Sequence, residues 1–348
     1  MFRIRLTRRG LVKAGAATAG LAACNCIGSG RVSAQDQRWS ITLIQGVKAD
    51  EFYISMACGA QRAADELGVD LTVQAPDAFD ATLQTPILNA VVQARPDAIL
   101  IAPNDRVAMI APIQDAINAG IAVFTVDTKI EADIALANIA SDNIEGGRIA
   151  ARALAELIGN QGKVYVQNVK AGVSTTDQRQ QGFEEEIQNY PDIEYVGFDY
   201  NNDDPTTAAA QTAAKLQQHP DLAGIFGTNL FGAEGAATAV REAGKQGQVK
   251  IVGFDAGPKQ VADLRNEIVD VLIAQHPYDI GYTAVQMAVQ YLETQQPPSE
   301  KVVTTGYSIV TRDNVDDPEI RRYLYVADCS EIPEVEATPA ASPEATPA

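Results

Sequence analysis

Residues 98–128 read AILIAPNDRVAMIAPIQDAINAGIAVFTVDT, and this stretch predicts the fold. The two apolar runs Ala98–Ile101 and Ala122–Val126 are short and rich in aliphatic residues, a pattern typical of strands buried on both faces. Met109–Ala119 lies between them with helical spacing, and Gly120 stands where a helix end commonly takes a left-handed residue. A strand, a helix and a second strand of this kind predict a parallel βαβ unit.

The same alternation extends to both sides of this unit. Further buried strands are predicted at Ile41–Ile44, Leu71–Val73, Lys163–Val166, Ile193–Phe198, Gly224–Phe226, Lys250–Phe254 and Val269–Ile273. Further helices are predicted at Phe52–Leu67, Thr82–Ala94, Ile144–Ile158, Gln178–Asn189, Pro205–Gln218, Phe231–Ala243 and Ile280–Glu293. We therefore expect an α/β protein built from doubly wound parallel sheets.

The strand–helix units fall into two sets, which predicts two lobes. The first set ends near Val126, and residues 139–143 cross into the second set. The chain returns after Gln275 and crosses once more near Tyr307–Val310, so that three connections form a hinge. We expect an N-terminal lobe of residues 38–140 and 276–306 and a C-terminal lobe of residues 141–275 and 307–328, with a cleft between them.

Polar and aromatic side chains follow the predicted strands at the ends where open parallel sheets bind their ligands. Carboxylates accept hydrogen bonds from hydroxyl groups, amides and guanidinium groups donate them, and aromatic rings cover apolar faces. This mixture suits a small polyhydroxy ligand such as a sugar. The candidate ligand-binding residues are Lys48, Asp50, Phe52, Tyr53, Asp127, Thr128, Asp177, Gln178, Arg179, Asn229, Phe231, Asp255 and Gln275.

Some of these residues have a second interpretation as structural groups. Asp177 could cap a helix that begins near Gln178, and Asn229 could cap the helix that begins at Phe231. Both alternatives remain open from the sequence. Phe52 and Tyr53 are adjacent and cannot both face inward from one helix, so one of them is expected to face the cleft.

The N-terminal segment carries the features of an export signal. Residues 7–13, TRRGLVK, place an arginine pair before a short apolar run, as in signals that export folded proteins. Residues 21–24, LAAC, resemble a bacterial lipoprotein box, in which Cys24 would be acylated and would anchor the protein to a membrane. Cleavage after Ala34 is the alternative, and it would release a soluble periplasmic protein. We prefer the lipoprotein interpretation and assign residues 1–34 to the signal.

Charge and composition limit the partners. Six of the 27 basic residues lie in residues 1–34, which hold no acidic residue, so the remaining chain has 21 basic and 45 acidic side chains. Such an acidic surface without a basic stripe argues against nucleic-acid binding. Residues 329–348 are rich in Pro, Ala, Thr and Glu and are expected to form a disordered tail.

Two cysteines, Cys58 and Cys329, lie outside the export segment. Outside the cytoplasm they could form a disulfide. The alternative is that Cys58, which lies in a helical pattern, is a small buried apolar residue, and this is the interpretation that we prefer from the sequence.

Eight short motifs occur in a consistent order along residues 40–310. They are FY at 52–53, PDAI at 96–99, VDT at 126–128, IASDN at 139–143, RQQGF at 179–183, HPD at 219–221, VGFD at 252–255 and IAQ at 273–275. Together they resemble the periplasmic sugar-binding proteins of the ribose-binding type, the substrate receptors of ABC importers. The resemblance implies a type I periplasmic-binding-protein fold with a three-stranded hinge, and a permease as partner.

The resemblance also implies roles for individual residues. The aromatic pair that brackets the sugar corresponds to Phe52 and Tyr53, and the carboxylate that binds hydroxyl groups corresponds to Asp127. The further polar contacts correspond to Arg179, Asn229, Asp255 and Gln275. The lobes are expected to close about the hinge when a monosaccharide binds, and the protein is expected to be a monomer without a cofactor or metal.

Three departures from the ribose-type pattern bear on the ligand. Thr128 stands where an arginine is usual, Asp50 stands where an asparagine is usual, and the region of Asp203 lacks an aromatic residue that Phe231 could replace. A shorter residue at position 128 would leave room for a hexose or a polyol as well as a pentose. Residues 176–178, TDQ, also resemble the cleft of receptors for the autoinducer-2 furanosyl signal, which stays an alternative ligand.

Other classes of protein are disfavoured. The sequence has no Cys/His metal spacing, no phosphate-binding glycine loop and no Gly-x-Ser-x-Gly motif. A glycoside-processing enzyme stays a lesser alternative, since Asp50, Asp127, Asp177 and Asp255 could converge. An export signal in the place of a helix-turn-helix argues against a transcription regulator. We therefore expect a binding protein that has no enzyme activity.

Overall fold

The computed structural model describes residues 38–332. Its strands are β1 (Ser40–Ile44), β2 (Asp70–Gln74), β3 (Ala98–Ile101), β4 (Ala122–Val126), β5 (Asn138–Ser141), β6 (Gly162–Asn168), β7 (Ile193–Tyr200), β8 (Leu222–Gly227), β9 (Lys250–Phe254), β10 (Val271–Gln275), β11 (Val302–Thr305) and β12 (Tyr307–Val310). Its α-helices are α1 (Glu51–Leu67), α2 (Ala81–Ala94), α3 (Ile110–Asn118), α4 (Asn143–Leu157), α5 (Ser174–Ile187), α6 (Pro205–Gln218), α7 (Leu230–Glu242), α8 (Pro258–Arg265), α9 (Pro277–Thr294) and α10 (Pro318–Arg321).

Each lobe is built on one six-stranded sheet. The first sheet has the order β11-β5-β4-β3-β1-β2, and all of its strand pairs are parallel. The second has the order β12-β10-β9-β8-β6-β7 and is parallel except at β12, which pairs antiparallel with β10. The predicted fold class, two doubly wound α/β lobes of the type I periplasmic-binding-protein kind, is confirmed.

The residues quoted at the start show why this fold forms. Along β3, Leu100 packs into the apolar cluster beneath α1 and α9, whereas Ile99 and Ile101 pack into the cluster beneath α2 and α3. Successive side chains of a strand point to opposite faces, so an unbroken apolar run needs helices on both sides of the sheet. The parallel pairing of β3 with β4 aligns Ala98 with Ala122.

Several predicted boundaries differ from the structure. α5 begins at Ser174, four residues before the expected start at Gln178, so residues 174–177 form its first turn. The segment expected only to cross between lobes begins as β5, and the strand expected at 269–273 is shifted to Val271–Gln275. Short polar segments such as α8 were not predicted, because their apolar residues are too few to show helical spacing.

The chain passes between the two sheets at three places, at Asp142, at His276 and at Gly306. A fourth was not predicted. Residues 318–332, which we call the C-terminal strap, return from the second lobe to the first, where Tyr325 packs into the first-lobe core. The assignment of residues up to 328 to the second lobe alone is therefore corrected.

The strap is joined covalently to the first lobe. Cys329 forms a disulfide with Cys58 of α1, with 5.4 Å between the two Cα atoms. The preferred interpretation of Cys58 as an unpaired apolar residue was therefore wrong. The expected start of the tail at residue 329 was wrong as well, since Cys329–Glu331 form a 3₁₀ turn. Residues 333–348 lie outside the described residues, as do residues 1–37 with Cys24.

Between Arg38 and Ile332, none of the helices combines the length and the apolar character that a membrane span requires.

Glycines allow the two long helices of the first lobe to pack in direct backbone contact. A Cβ atom on Gly281 of α9 would lie 1.9 Å from the carbonyl oxygen of Met56, and one on Gly59 of α1 would lie 2.0 Å from the carbonyl oxygen of Tyr278. Both neighbours are main-chain atoms within helices, so neither can move without separating α1 from α9.

We predict that Gly281→Ala lowers the free energy of unfolding by about 2 kcal/mol or more, because overpacking outweighs the better helix propensity of alanine. Chemical denaturation of the variant measures this change. Gln286→Ala, on the exposed face of the same helix, is the control and should differ from wild type by less than about 0.5 kcal/mol. Equal unfolding free energies for Gly281→Ala and wild type would contradict the close packing.

Candidate functional site

The candidate site lies in the cleft between the two lobes, where the carboxyl ends of both sheets meet. Its cavity has a volume of about 40 Å³. Its lining residues are Asp50, Phe52, Tyr53, Phe79, Asp127, Val169, Val173, Thr175, Thr176, Arg179, Asp203, Asn229, Asp255 and Gln275. The set combines four carboxylates, one guanidinium group, two amides and three aromatic rings.

Two of the carboxylates sit on strained backbone directly after a strand. Asp127 follows β4 with a φ of 57°, and Asp255 follows β9 with a φ of 76°. Left-handed backbone is unfavourable for residues other than glycine, and such strain is often found at functional sites. In both residues the conformation turns the chain at the strand end while the side chain stays at the cleft.

The first-lobe wall is formed by the start of α1. Asp50 caps this helix, since its Oδ1 accepts a hydrogen bond of 2.8 Å from the Phe52 amide. The Tyr53 hydroxyl donates to Oδ2 of Asp127 at 2.8 Å, and the Phe52 and Tyr53 rings meet edge to face at 5.1 Å. Both rings line the cleft, whereas the sequence had predicted that one would.

The second-lobe wall centres on Arg179 of α5. Its Nε donates to Oδ1 of Asn143 and one Nη donates to the carbonyl oxygen of Thr228, each at 2.9 Å. The guanidinium group also lies over the Phe254 ring, 3.9 Å from its centre. These contacts leave the second Nη to donate into the cleft, because it has no hydrogen-bond partner among the described residues.

A chain of hydrogen bonds connects the site to the hinge. Gln275 donates through Nε2 to Oδ1 of Asp255 at 2.7 Å, and its Oε1 accepts from the Ser141 hydroxyl at 2.9 Å. The Leu230 amide donates to the other Asp255 oxygen at 2.9 Å. Gln275 and Ser141 end the strands that lead into two of the connections, so the orientation of Asp255 depends on the hinge.

Asn229 caps α7, as one of the two interpretations predicted, and it also lines the cleft. Its side-chain oxygen caps α7 by accepting from the Gly232 amide at 3.0 Å, while its Nδ2 donates to Oδ1 of Asp203 at 2.7 Å. Asp203 thus occupies the place where the resemblance expects an aromatic ring. Phe231 does not replace that ring, because it packs against the first-lobe core.

Five of the thirteen candidate residues do not line the cleft. Lys48 is exposed with its Nζ 3.7 Å from Asp77, and Thr128 is buried beside the cleft. Asp177 accepts from the Gly172 amide at 3.0 Å and lies 3.3 Å from Arg106 of the first lobe. The earlier start of α5 places both Asp177 and Gln178 within the helix, whereas Asp177 was expected in the loop before it. Gln178 lines a neighbouring cavity and Phe231 belongs to the core.

Other lining residues were not singled out from the sequence. Phe79 lies in the loop before α2, and Val169 and Val173 lie in the loop between β6 and α5, where no periodic pattern marks them. Tyr325 lies behind the cleft and donates to Asp255 at 2.8 Å. Tyr325 is far in sequence from every other residue of the site, so no sequence pattern predicted its position there.

Three of the carboxylates, Asp50, Asp127 and Asp203, lie in an environment that opposes ionisation. Burial raises the pKa of Asp127 to about 6, although the Arg179 charge and the Tyr53 hydroxyl act against it. Burial raises the pKa of Asp203 to about 6 as well. Burial, and then the charges of Asp203 and Asp255, raise the pKa of Asp50 well above its ordinary value. A ligand that donates hydrogen bonds to these oxygens would relieve this cost.

Comparison with known proteins gives the class of protein that the sequence motifs resemble. A family model for the periplasmic binding protein domain matches residues 41–296. The ribose import binding protein of Bacillus subtilis is 29% identical over 259 residues, which cover 74% of this chain and 82% of that protein. The chain belongs to the periplasmic binding protein family, and the proteins that it resembles are binding proteins of transporters rather than enzymes.

Two solved structures show how close the fold is. A solute-binding protein of an ABC transporter from Agrobacterium vitis, bound to alpha-D-tagatopyranose, is 44% identical with a TM-score of 0.81. The match covers 83% of this chain and all of that one. A second such protein from the same species, with bound D-fucose, is 30% identical with a TM-score of 0.78 over 82% of this chain and all of its own.

We predict that removing the charge at Asp127 makes stability less dependent on pH. A carboxyl with a raised folded pKa adds stability at low pH, and this contribution is lost as the pH rises through about 6. Between pH 5 and pH 7 the Asp127 contribution to this loss is roughly 1 kcal/mol. Without added sugar, the stability of Asp127→Asn should therefore fall by about that much less than the stability of wild type, while the contribution of Asp203 remains. The exposed Asp65→Asn variant is the control. Parallel pH profiles for wild type and Asp127→Asn would refute the assignment.

Proposed function

We propose that this protein captures a monosaccharide in the interlobe cleft and delivers it to the permease of an ABC importer. The observation that carries the proposal is the cleft itself, which gathers carboxylate acceptors, amide and guanidinium donors, and aromatic rings from both lobes. Sugars need both kinds of hydrogen bond and an apolar surface for their C–H faces. Relatives that carry a sugar in their names, and neighbours solved with a sugar, support the same function.

The free carboxylate oxygens indicate how the sugar is held. Asp50, Asp127 and Asp203 each use one oxygen for a bond within the protein, and the other oxygen has no donor among the described residues. Hydroxyl groups of the ligand can donate to these three oxygens. Arg179 supplies the complementary donor, and the Phe52 and Tyr53 rings cover the ring face. A hexose, a pentose or a polyol fits this set.

The conformation described is closed across the cleft rim. The Lys129 amide donates to the Ser174 hydroxyl at 2.9 Å, the Arg106 amide donates to the Gly172 carbonyl at 3.0 Å, and Lys170 donates to the Phe79 carbonyl at 2.9 Å. These bonds join the two lobes and exist only when the lobes meet. A ligand that binds the closed state better than the open one drives this closure, which presents one joined surface to a permease.

The alternatives have less support in this geometry. The autoinducer-2 alternative rested on Thr176, Asp177 and Gln178, of which Thr176 lines the cleft, while Asp177 lies at the rim and Gln178 lines a neighbouring cavity. The glycosidase alternative depended in part on Asp177 as well. The remaining carboxylates belong to a site of the binding-protein family.

We predict that the purified protein binds a neutral monosaccharide. Native mass spectrometry of protein prepared without refolding should show a bound species with the mass of a pentose or hexose. Calorimetry with D-tagatose, D-fucose and D-ribose then ranks the ligands. Absence of both a bound sugar and a calorimetric signal with all three would refute the proposed ligand class.

Asp50→Asn should weaken binding of the best sugar about 10-fold or more, because the ligand loses a charged acceptor while asparagine can still cap α1. Asp80→Asn is the matched control, since Asp80 caps α2 in the same way outside the cleft, accepting from the Thr82 amide at 2.7 Å. Equal affinities for both variants would exclude Asp50 from the binding site.

We also propose that Cys24 anchors the protein to the outer face of the membrane and that the protein acts as a monomer. Residues 25–39 separate Cys24 from the first strand, a short connection that would keep the cleft near the permease. The support is the lipoprotein box at residues 21–24.

We expect Cys24→Ser to abolish incorporation of labelled palmitate in the native host and to move the protein from the membrane to the soluble fraction. Cys26→Ser, two residues away, should keep both properties. A wild-type protein found unlabelled and soluble would favour cleavage after Ala34 instead.

A further inference from the structure

The C-terminal strap contacts both lobes next to the sugar site. On the second-lobe side, the Tyr325 amide donates to the carbonyl oxygen of Ala256 at 3.0 Å. On the first-lobe side, the next amide, that of Val326, donates to the Ser55 hydroxyl at 3.0 Å. The disulfide of Cys329 with Cys58 then fastens the strap to α1. Two adjacent residues of the strap, Tyr325 and Val326, therefore bond to groups that belong to different lobes.

Tyr325 places its hydroxyl group on two residues of the site. The main-chain amide of Gln275 donates to the hydroxyl oxygen of Tyr325 at 3.1 Å. The Tyr325 hydroxyl therefore donates its own proton to Oδ1 of Asp255, 2.8 Å away. Tyr325 is only 4% exposed, so the bond to Asp255 lies in the protein interior. Burial and the nearby Asp255 charge raise the pKa of Tyr325 well above its ordinary value, so the hydroxyl keeps its proton for this bond.

The ring of Tyr325 supports the first-lobe wall of the same site. It meets the Phe52 ring at 5.8 Å between centres with an interplanar angle of 65°. Edge-to-face contacts of this kind hold ring orientation. The single side chain thus braces an acceptor of the second lobe and an aromatic surface of the first.

We propose that Tyr325 is a positioning residue for sugar binding, and that the Cys58–Cys329 disulfide holds the strap so that it can act. This proposal rests on the proposed function, and it says that the strap contributes to the affinity of the cleft for its sugar. With Leu230 and Gln275 as the other donors, Tyr325 completes a set of three hydrogen bonds that orient the Asp255 carboxylate. Because three bonds fix its plane, the carboxylate meets a ligand hydroxyl without losing conformational freedom.

The disulfide matters because, besides the packing of Tyr325, the strap makes few contacts with the first lobe among the described residues. The bond from Val326 to Ser55 is the hydrogen bond found there between the strap and α1. The cysteines are 271 residues apart in sequence, so the pairing gives the strap a covalent attachment that no local contact could supply. Disulfides persist in the extracytoplasmic space where this family works.

The test compares two tyrosine variants of the strap. Tyr325→Phe keeps the ring and removes the hydroxyl, and we expect affinity for the best sugar of the panel D-tagatose, D-fucose and D-ribose to fall about 10-fold. Tyr323→Phe is the matched control, because the Tyr323 ring stacks on His276 at 3.5 Å and its hydroxyl has no hydrogen-bond partner among the described residues. The affinity of Tyr323→Phe for the same sugar should stay within about twofold of the wild-type affinity. An unchanged affinity in Tyr325→Phe would overturn the proposal.

A double-mutant cycle separates positioning from a general structural effect. If Tyr325 acts through Asp255, Tyr325→Phe should cost a clearly smaller factor in an Asp255→Asn background than in wild type. The same factor in both backgrounds would show that the hydroxyl acts elsewhere. Cys58→Ser combined with Cys329→Ser should weaken binding about as much as Tyr325→Phe, while circular dichroism shows an intact fold. Wild-type affinity without the disulfide would overturn its proposed part.

A measurement without sugar keeps this inference distinct from the proposed function. The main-chain amide of Gln275 loses its acceptor in Tyr325→Phe, so hydrogen exchange at this amide should become faster than in wild type and in Tyr323→Phe. If wild type binds no sugar but exchange at Gln275 becomes faster in Tyr325→Phe, the proposed function is refuted while the contact of Tyr325 with Gln275 is supported. If exchange is unchanged, the contact itself is refuted.

Discussion

The burial of several carboxylates in one cleft is the constraint on which the rest of this structure depends. Asp50, Asp127 and Asp255 are each less than a tenth exposed, and a single guanidinium group accompanies them. A buried carboxylate is costly unless donors surround it. The protein supplies donors from helix starts, from Tyr53 and from the hinge, and it leaves some oxygens for a ligand. In the proposed function, these unpaired carboxylate oxygens are the groups that accept hydrogen bonds from sugar hydroxyl groups.

The hinge and the site are parts of the same hydrogen-bond network. Ser141 and Gln275 end the strands from which two connections leave, and Gln275 also holds Asp255. A rotation of the lobes must change the geometry of these bonds, so ligand binding and closure are coupled by direct contact. The strap adds a fourth connection between the lobes, and its disulfide to Cys58 fixes the end of the strap to α1.

Much of the fold and part of the site could be predicted from sequence. Apolar runs such as Ala98–Ile101 have one stable environment, a strand covered on both faces, so the two sheets were predictable. Asp127 and Asp255 were found because they directly follow such runs. Asp177 was misplaced because its helix begins four residues early, which places Asp177 in the first turn of α5 instead of in the loop before the helix. The disulfide was undervalued, since pairing depends on a distance that spacing does not reveal.

The sequence by itself determined the α/β class, the two lobes and the residues at the strand ends, because these follow from local apolar patterns and from the geometry of parallel sheets. Only the tertiary structure decided which polar groups share the cleft, which of them form the closing contacts at its rim, and that Tyr325 stands behind Asp255. The physical reason is that these features arise from contacts between distant segments. Their energies depend on burial and orientation, which exist only once the lobes have packed against each other.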